Sequence, residues 1–335
     1  MITDQKPSYR KWYLALTIVI AAILLVLAIR GVSWPEMVET LSKADPTYLV
    51  FIFLLGSFSV FIRGLRWGLL ISAEKHINAL TMFWATAIGY VGNTFLPARA
   101  GEVIRSMMLG EKTGVSKSYV LATALTERLF DVVTLVLIGV FVVHSIGDLP
   151  EWLPDAMRVM GFLGMAALIF LLLAPRMRGF ITTLVNKIPF PEKWRERVNK
   201  LLQDFLLGAC AFIHPGRAAG FLGLSAIVWF LDSSGIILLS KALNLDFNYP
   251  QALLLLVAIG LSSAVPSTPG YVGIYQFVAV SLLPLYGTTR SQALTFILAM
   301  QAVNTLVILV WGFIGFWQMN MDKGKENPDP GQPLV

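Results

Sequence analysis

Apolar residues run along most of the chain in long stretches that short polar segments separate. Six of these stretches have the length of a membrane-spanning helix, which needs about 17–25 predominantly apolar residues. They cover approximately 12–29, 47–72, 119–143, 157–173, 218–239 and 293–317. A polar turn is expected after the first of them, and Asp45 followed by Pro46 predicts the start of the second. This pattern predicts an all-α polytopic membrane protein with about six spanning helices.

Two further apolar stretches are broken where a membrane helix would continue. Residues 92–105 contain Asn93, Pro97, Arg99 and Glu102 within the stretch, and residues 265–273 contain two prolines and two glycines. An irregular backbone that faces lipid leaves N–H and C=O groups unpaired, so such a backbone lies outside the bilayer or lines a polar cavity. We therefore expect two re-entrant hairpins, although a tight turn between two outer helices would also explain the second break.

The two halves of the chain repeat the same order of elements: span, span, broken hairpin, span. We expect one integral membrane domain over 1–320, built from inverted repeats at about 12–145 and 157–318, an arrangement typical of transporters. Residues 321–335 are polar and rich in Gly, Pro, Lys and Glu, which predicts a disordered cytoplasmic tail.

Composition and charge support this class of protein. Hydrophobic residues make up 56% of the chain, charged residues only 14%, and the mean hydropathy is +0.70, which is not the composition of a soluble core. The positive-inside rule explains the net charge of +6 without nucleic acid as a partner. It places both termini in the cytoplasm and predicts that the protein lies in the inner or plasma membrane. It also predicts that the first hairpin enters from the inner face and the second from the outer face.

Several charged and aromatic residues have two possible roles. Glu127, Arg128 and Asp131 share one side of the third span, either as a structural ion-pair cluster or as groups that position arginines for an anion or relay protons. Arg63 and Arg66 either snorkel to the inner surface or add to an anion path. The basic segment 176–200 is predicted to form an amphipathic helix on the membrane surface. Five tryptophans are expected to anchor helices at the membrane interface: Trp12, Trp34, Trp67, Trp152 and Trp317.

The two breaks are expected to meet these charges around a positively charged chamber. Helices are predicted to begin at Gly101 and near Gly270, and helix N-termini bind anions through free backbone N–H groups. The predicted substrate-binding residues are Asn93, Arg99, Glu102, Arg105, Glu127, Arg128, Asp131, Ser267 and Thr268. The predicted backbone hinges are Gly92, Pro97, Gly101, Pro266, Pro269, Gly270 and Gly273. Neither a cofactor nor a metal is predicted, since the single cysteine and three histidines lack metal-ligand spacing.

Three segments carry a resemblance to a known family: Asn93–Arg105, Thr126–Asp131 and Pro266–Gly273. Their order and spacing resemble the membrane region of the lysylphosphatidylglycerol synthase family, also called flippase-like proteins. The resemblance implies a membrane domain that moves, or helps to make, lipids with charged or glycosyl headgroups. Relatives often have Glu where this chain has Gln276.

The hypothesis that follows is a flippase-like transporter that moves a phospholipid or glycolipid with a charged headgroup between leaflets. Its partner would be a membrane lipid with an anionic headgroup, and no particular oligomeric state is predicted. The alternatives are a membrane component of a lipid-modifying or glycolipid synthase and a scaffold for a soluble or membrane synthase. Enzyme activity is less favoured, because the sequence has no soluble transferase domain and no nucleotide-binding loop.

Overall fold

The structure is a computed structural model that describes residues 9–96, 100–143, 152–187, 191–263 and 269–321. The regular elements in these ranges are all helical, which confirms the all-α prediction. The helices are α1 Tyr9–Ile29, α2 Trp34–Ser42, α3 Pro46–Ile71, α4 Ala79–Phe95, α5 Ala100–Thr113, α6 Lys117–Val143, α7 Trp152–Leu173, α8 Arg178–Lys187, α9 Glu192–Gly208, α10 Pro215–Ala242, α11 Tyr249–Ser262, α12 Ile274–Leu282 and α13 Arg290–Met321. Short 3₁₀ turns occur at Cys210–Ile213, Pro269–Tyr271 and Leu283–Tyr286.

Each of the six predicted spans lies in a helix: α1, α3, α6, α7, α10 and α13. Three of them, α3, α10 and α13, pass as single membrane spans by length and composition, and two bent pairs, α1–α2 and α7–α8, raise that number to five. The remaining helix, α6, has 27 residues and is about 40 Å long. Its mean hydropathy is reduced by the three charged residues near its middle, whose partners are described below.

The long helices α3 and α10 pack against each other in antiparallel directions. The Asp45 amide before α3 donates to the Ala242 carbonyl at the end of α10 over 3.0 Å. Farther along, the Ser59 hydroxyl of α3 donates to Asp232 of α10 over 2.7 Å. At the other end, Arg66 lies beside Ser225. The pair therefore connects the two halves of the chain along its whole length.

The hairpin of each half also packs against helices of the other half. The α4–α5 hairpin packs on α3, on α6 and on α13 of the other half, and the α11–α12 hairpin packs correspondingly on α10, on α13 and on α6. The open end of the first hairpin lies at the C-terminal end of α3, where Lys75 donates to the Thr113 carbonyl over 2.6 Å. The second hairpin starts at the C-terminal end of α10, where the Phe247 amide donates to Ser240. The two hairpins consequently enter from opposite ends of the α3–α10 pair.

The structure corrects three details of the predicted elements. The polar segment after α1 is a helix, α2, with Pro35 in its first turn. Helix α4 continues to Phe95, so Gly92 and Asn93 are helical and the first break starts later than predicted. Helix α12 begins at Ile274 rather than near Gly270. Residues 97–99, 264–268 and the predicted tail from 322 onward lie outside the described ranges.

Candidate functional site

Six charged side chains form a closed ring in which arginines and carboxylates alternate. We call this set the charge ring; it consists of Glu102, Arg105, Glu127, Arg66, Asp131 and Arg128, in the order of their contacts. The six successive N–O distances are 2.5, 3.0, 2.7, 2.7, 3.2 and 2.8 Å. The ring joins α3, α5 and α6, so the first half of the chain is held together around it.

Arg66 is the most deeply buried member of the ring. Its side chain is 0% exposed and those of Glu127 and Arg105 are at most 2% exposed. The Arg66 guanidinium donates to Glu127 over 2.7 and 3.2 Å, to both Asp131 oxygens, and to the Ser225 hydroxyl. Of the two alternatives for Arg66, snorkelling to the inner surface is wrong, because its charge is matched by carboxylates inside the fold.

Aromatic residues cover the inner side of the ring. The Arg105 guanidinium lies 4.1 Å from the ring centroid of Trp67, at cation–π distance. Trp67 is fully buried, and its indole N–H donates to the Thr123 hydroxyl over 3.1 Å. The prediction of Trp67 as an interface anchor is consequently wrong, whereas Trp34 and Trp317 are 60% and 61% exposed, as interface anchors require.

A second ion pair connects the two halves beside the ring. Arg63 of α3 contacts Asp232 of α10, and the Arg63 guanidinium lies 5.5 Å from the Trp229 ring centroid. Sequence reasoning missed Asp232, although an ionisable residue in the middle of an apolar span is a signal for a functional or paired group. Arg63 does not snorkel either, because its guanidinium is held by a partner on the other half.

A cavity of about 1000 Å³ lies between the charge ring, the α3–α10 pair and the two breaks. Its polar wall contains Ser59, Arg63, Tyr90, Asn93, Glu102, Arg128, Asp131, Asp232, Gln276 and Gln301. Other parts of the wall are apolar and include Leu25, Leu298 and Leu306. The two breaks meet here, since a Cβ atom on Gly270 would lie 3.7 Å from the Thr94 carbonyl oxygen.

The structure separates the predicted binding residues into two groups. Asn93, Glu102, Arg128 and Asp131 line the cavity, and the Asn93 amide donates to Glu102 over 3.2 Å. Arg105 and Glu127 belong to the ring but lie behind the cavity wall, at 1% exposure each. Arg99, Ser267 and Thr268 lie outside the described residues, as do Pro97 and Pro266.

The charges on the cavity wall are nearly balanced. Its described lining residues include two arginines and three carboxylates. We expected a positively charged chamber, and for the described part of the wall that expectation is wrong. The physical reason is that each arginine at this depth is paired with at least one carboxylate, as burial of a charge requires.

The second break is held by two glutamines. The Gln276 Oε1 atom accepts from the Gly273 amide over 2.7 Å, and its Nε2 atom donates to Gln301 Oε1 over 2.5 Å. Gln301 in turn donates to the Gly270 carbonyl over 3.0 Å. Gly270 and Gly273 have φ angles of 68° and 92°, in the region that favours glycine. Gln276 thus organises the described segment 269–273 that leads into α12.

This combination of features defines a class of protein. Antiparallel long helices, two opposed broken hairpins and a polar cavity at their meeting point describe an all-α polytopic membrane protein with inverted repeats. The profile of the lysylphosphatidylglycerol synthase TM region matches residues 14–312. The chain belongs to this family.

Curated relatives agree with this membership. A UPF0104 membrane protein of Methanocaldococcus jannaschii is 25% identical over 70% of this chain and 96% of the relative. A UPF0104 membrane protein of Methanothermobacter thermautotrophicus is 21% identical over 91% of this chain and 92% of the relative. The glycosyltransferase AglD of Haloferax volcanii is 24% identical over 91% of this chain, which spans 55% of that protein. No solved structure matches the chain.

Proposed function

We propose that the protein is a flippase-like transporter that moves a phospholipid or glycolipid with a charged headgroup between the leaflets of a plasma membrane, with both chain termini in the cytoplasm. The headgroup occupies the cavity while the acyl chains stay in the bilayer. One observation carries the proposal: the cavity has a charged wall on one side and reaches the apolar outer surface on another. Phe95, Leu298 and Leu306 line it and are 52%, 41% and 53% exposed.

Arg63 and Arg128 are the groups that suit a phosphate. Arg128 donates from Nε to Glu102 and from Nη1 to Asp131, and Arg63 donates from Nη2 to Asp232. Among the described residues, neither Arg128 Nη2 nor Arg63 Nη1 has a hydrogen-bond partner. Charge-assisted hydrogen bonds from guanidinium to phosphate are strong and directional. The remaining capacity of Asp232 suits a hydroxyl or amine of the same headgroup.

The α3–α10 interface supports a mechanism for translocation. Each hairpin is packed against helices of both halves, so a rocking motion of one half against the other would open the cavity alternately at the two ends, as in other inverted-repeat transporters. The Arg63–Asp232 pair crosses this interface. A headgroup that binds Arg63 would weaken the contact between the halves while the lipid is present.

A second candidate is a role in glycolipid synthesis, either as a component of a synthase or as a scaffold for one. It is favoured by the relative named glycosyltransferase AglD, in which the matching region accounts for 55% of the protein. Product formation by the purified chain with a lipid acceptor and a sugar donor would support this candidate.

The test of transport is a dithionite assay in proteoliposomes that contain fluorescent headgroup-labelled phosphatidylglycerol. We expect the wild type to expose inner-leaflet label, and Arg128→Gln to slow this exposure at least tenfold, because a charge-assisted hydrogen bond contributes about 1.5–3 kcal/mol. Arg30→Gln is the matched control, since Arg30 is exposed outside the cavity. If the double variant Arg63→Gln/Arg128→Gln flips lipid as fast as Arg30→Gln, the proposed headgroup site is wrong.

A further inference from the structure

Helix α8 turns sharply away from the spanning direction. The apolar part of α7, Arg158–Leu173, and α8 form an angle of 113° across a four-residue break. Helix α7 has 22 residues, which is long enough to cross a bilayer. A helix at nearly a right angle to such a span is directed along the membrane surface rather than across the bilayer. The same end of the molecule carries Lys75 after α3 and Lys117 at the start of α6.

Helices α8 and α9 pack together as a unit, which we call the basic hairpin. Ile181 of α8 is buried with Ala174 and with Leu206 of α9, and the Asn199 amide donates to Asn186 over 2.8 Å. The basic hairpin is fixed to the transmembrane part, because Gly208 at the end of α9 packs directly on the Ala122 carbonyl of α6. It is therefore a built part of the fold.

Large apolar side chains of the basic hairpin have no cover in the described structure. Phe180 and Leu184, one helical turn apart on α8, are 64% and 53% exposed, and Trp194 on α9 is 60% exposed. Aromatic and aliphatic residues of this kind insert at the boundary between headgroups and acyl chains when they occur on a surface helix. Their exposure is consistent with a lipid environment.

The charge of the basic hairpin shows which lipid it fits. Residues 176–208 contain seven Lys and Arg against three carboxylates. Arg178, Lys187 and Lys200 are exposed, and no ion pair joins any of them to a carboxylate of the described chain. Unpaired basic residues beside exposed apolar ones are complementary to a surface of anionic headgroups above an acyl layer.

We propose that the basic hairpin is a binding site for anionic phospholipids, separate from the cavity. Phe180, Leu184 and Trp194 insert into the interface, and Arg178, Lys187 and Lys200 bind phosphate groups of the surrounding leaflet. Since Gly208 ties the hairpin to α6, the bound lipids hold in place the helix that carries Glu127, Arg128 and Asp131. The site does not depend on whether the cavity transports lipid.

A nitroxide label at position 184 tests the proposal in the full chain. The label is attached to Leu184→Cys in a Cys210→Ser background, and the protein is reconstituted into phosphatidylcholine vesicles with or without phosphatidylglycerol. We expect the label to lie at interfacial depth, with oxygen accessibility above that of a water-soluble nickel chelate. Phosphatidylglycerol should move the label deeper into the bilayer.

A charge variant tests the lipid preference. Arg178→Gln/Lys187→Gln/Lys200→Gln should abolish the phosphatidylglycerol-dependent shift and reduce the phosphatidylglycerol retained by the purified protein, by about fivefold per charge. The control Lys43→Gln/Lys241→Gln removes exposed lysines from the opposite end and should retain the wild-type lipid. A label that stays in water in both lipid mixtures overturns the proposal and indicates a surface for a soluble protein instead. Equal lipid retention by the two variants also overturns it.

Discussion

Arg66 is the member of the charge ring whose positive charge depends most on neighbouring carboxylates. Its guanidinium has no exposed surface and contacts two carboxylates from successive turns of α6. A buried charge without a partner is far less favourable than a buried pair. Each charged residue of the ring is therefore tolerated inside the fold only while its partners of opposite charge are present.

Replacement of Arg66 is expected to destabilise the protein strongly. Arg66→Met should lower the free energy of unfolding by about 3–5 kcal/mol, because Glu127 and Asp131 would be left buried with fewer cationic partners. Unfolding in detergent, followed by tryptophan fluorescence, measures the change. The control is Lys43→Gln, which removes the exposed ion pair with Glu39 and should leave the transition unchanged. Equal transitions in the two variants would contradict the role assigned to Arg66.

The sequence showed part of this residue-scale arrangement. Glu127, Arg128 and Asp131 were identifiable because three charges in the middle of an apolar helix need partners. The identity of their partners was not, since Arg66 is 61 positions before Glu127 and nothing in the local pattern distinguishes a buried arginine from one near a helix end. Asp232 had the same local signal as Glu127, an ionisable residue in the middle of an apolar span, and was overlooked; only its pairing with Arg63 of the other half required the structure.

The α4–α5 hairpin depends on close contact between two helices. A Cβ atom on Gly92 would lie 2.6 Å from the Gly101 Cα atom, and one on Gly101 would collide with the Gly89 carbonyl and the Asn93 amide. These are backbone atoms, which cannot move aside as the end of a side chain can. The two glycines are therefore needed for the close packing of α4 against α5, whereas their predicted role as hinges stays a prediction.

Gly101→Ala should separate α4 from α5. We expect a loss of about 1–3 kcal/mol in the free energy of unfolding from overpacking, together with weaker contact between Asn93 and Glu102. Gly223→Ala is the control, because a Cβ atom there meets nothing within 4 Å and alanine is the better helix former. Denaturation in detergent should place the control at or above the wild type, and a Gly101 variant that unfolds with the control would refute the contact.

The start of α12 depends on the side chain of Gln276, which binds the Gly273 amide and Gln301. Gln276→Leu should lower the free energy of unfolding by about 1–3 kcal/mol, because the buried Gly273 amide and the Gln301 oxygen would lose their partners. Gln276→Glu keeps the acceptor for the Gly273 amide, and its free energy of unfolding should lie between those of the leucine variant and the wild type. Thermal unfolding of the three proteins checks the order. A glutamate variant that is less stable than the leucine variant would show that charge burial outweighs the capping bond.

Element boundaries were less predictable than element types. Asp45 and Pro46 marked the start of α3 correctly, with the Asp45 side chain accepting from the Thr47 amide, since capping is a local interaction. The end of α4 was not predictable, because Gly92 and Asn93 are poor helix formers that α5 and Glu102 hold in a helix through tertiary contacts. The turn predicted in place of α2 is wrong for a different reason, because Pro35 and Glu36 in the first turn are local signals of a helix start that were not weighed.

At the scale of the whole molecule, the order of elements indicated the inverted repeats, whereas their packing required the structure. Hydrophobic length and the two breaks are visible in a sequence because they are properties of single segments. The exchange of hairpins between the halves is not, because α4 contacts α13 and α11 contacts α6 across more than a hundred residues. The nearly neutral cavity wall follows from these long-range contacts too.

The opposed hairpins predict which residues share a side of the membrane. Ala73 and Ser118 flank the open end of the first hairpin, and Ser42 and Lys241 lie at the other end of the α3–α10 pair. Single cysteines at these four positions, in a Cys210→Ser background, should react with a membrane-impermeant maleimide in two pairs. Burial raises the pKa of the Cys210 thiol, and its removal eliminates any residual reaction.

Because basic residues concentrate near Ala73 and Ser118, we expect these two positions to be labelled in inverted membrane vesicles and not in intact cells. Ser42→Cys and Lys241→Cys should show the opposite preference. The labelled fraction is measured before and after the membrane is disrupted. This comparison distinguishes a cysteine on the inaccessible side from a cysteine that reacts poorly on either side. If all four positions react from a single side, the two hairpins do not enter from opposite faces, and the alternating-access mechanism that depends on them fails with that result.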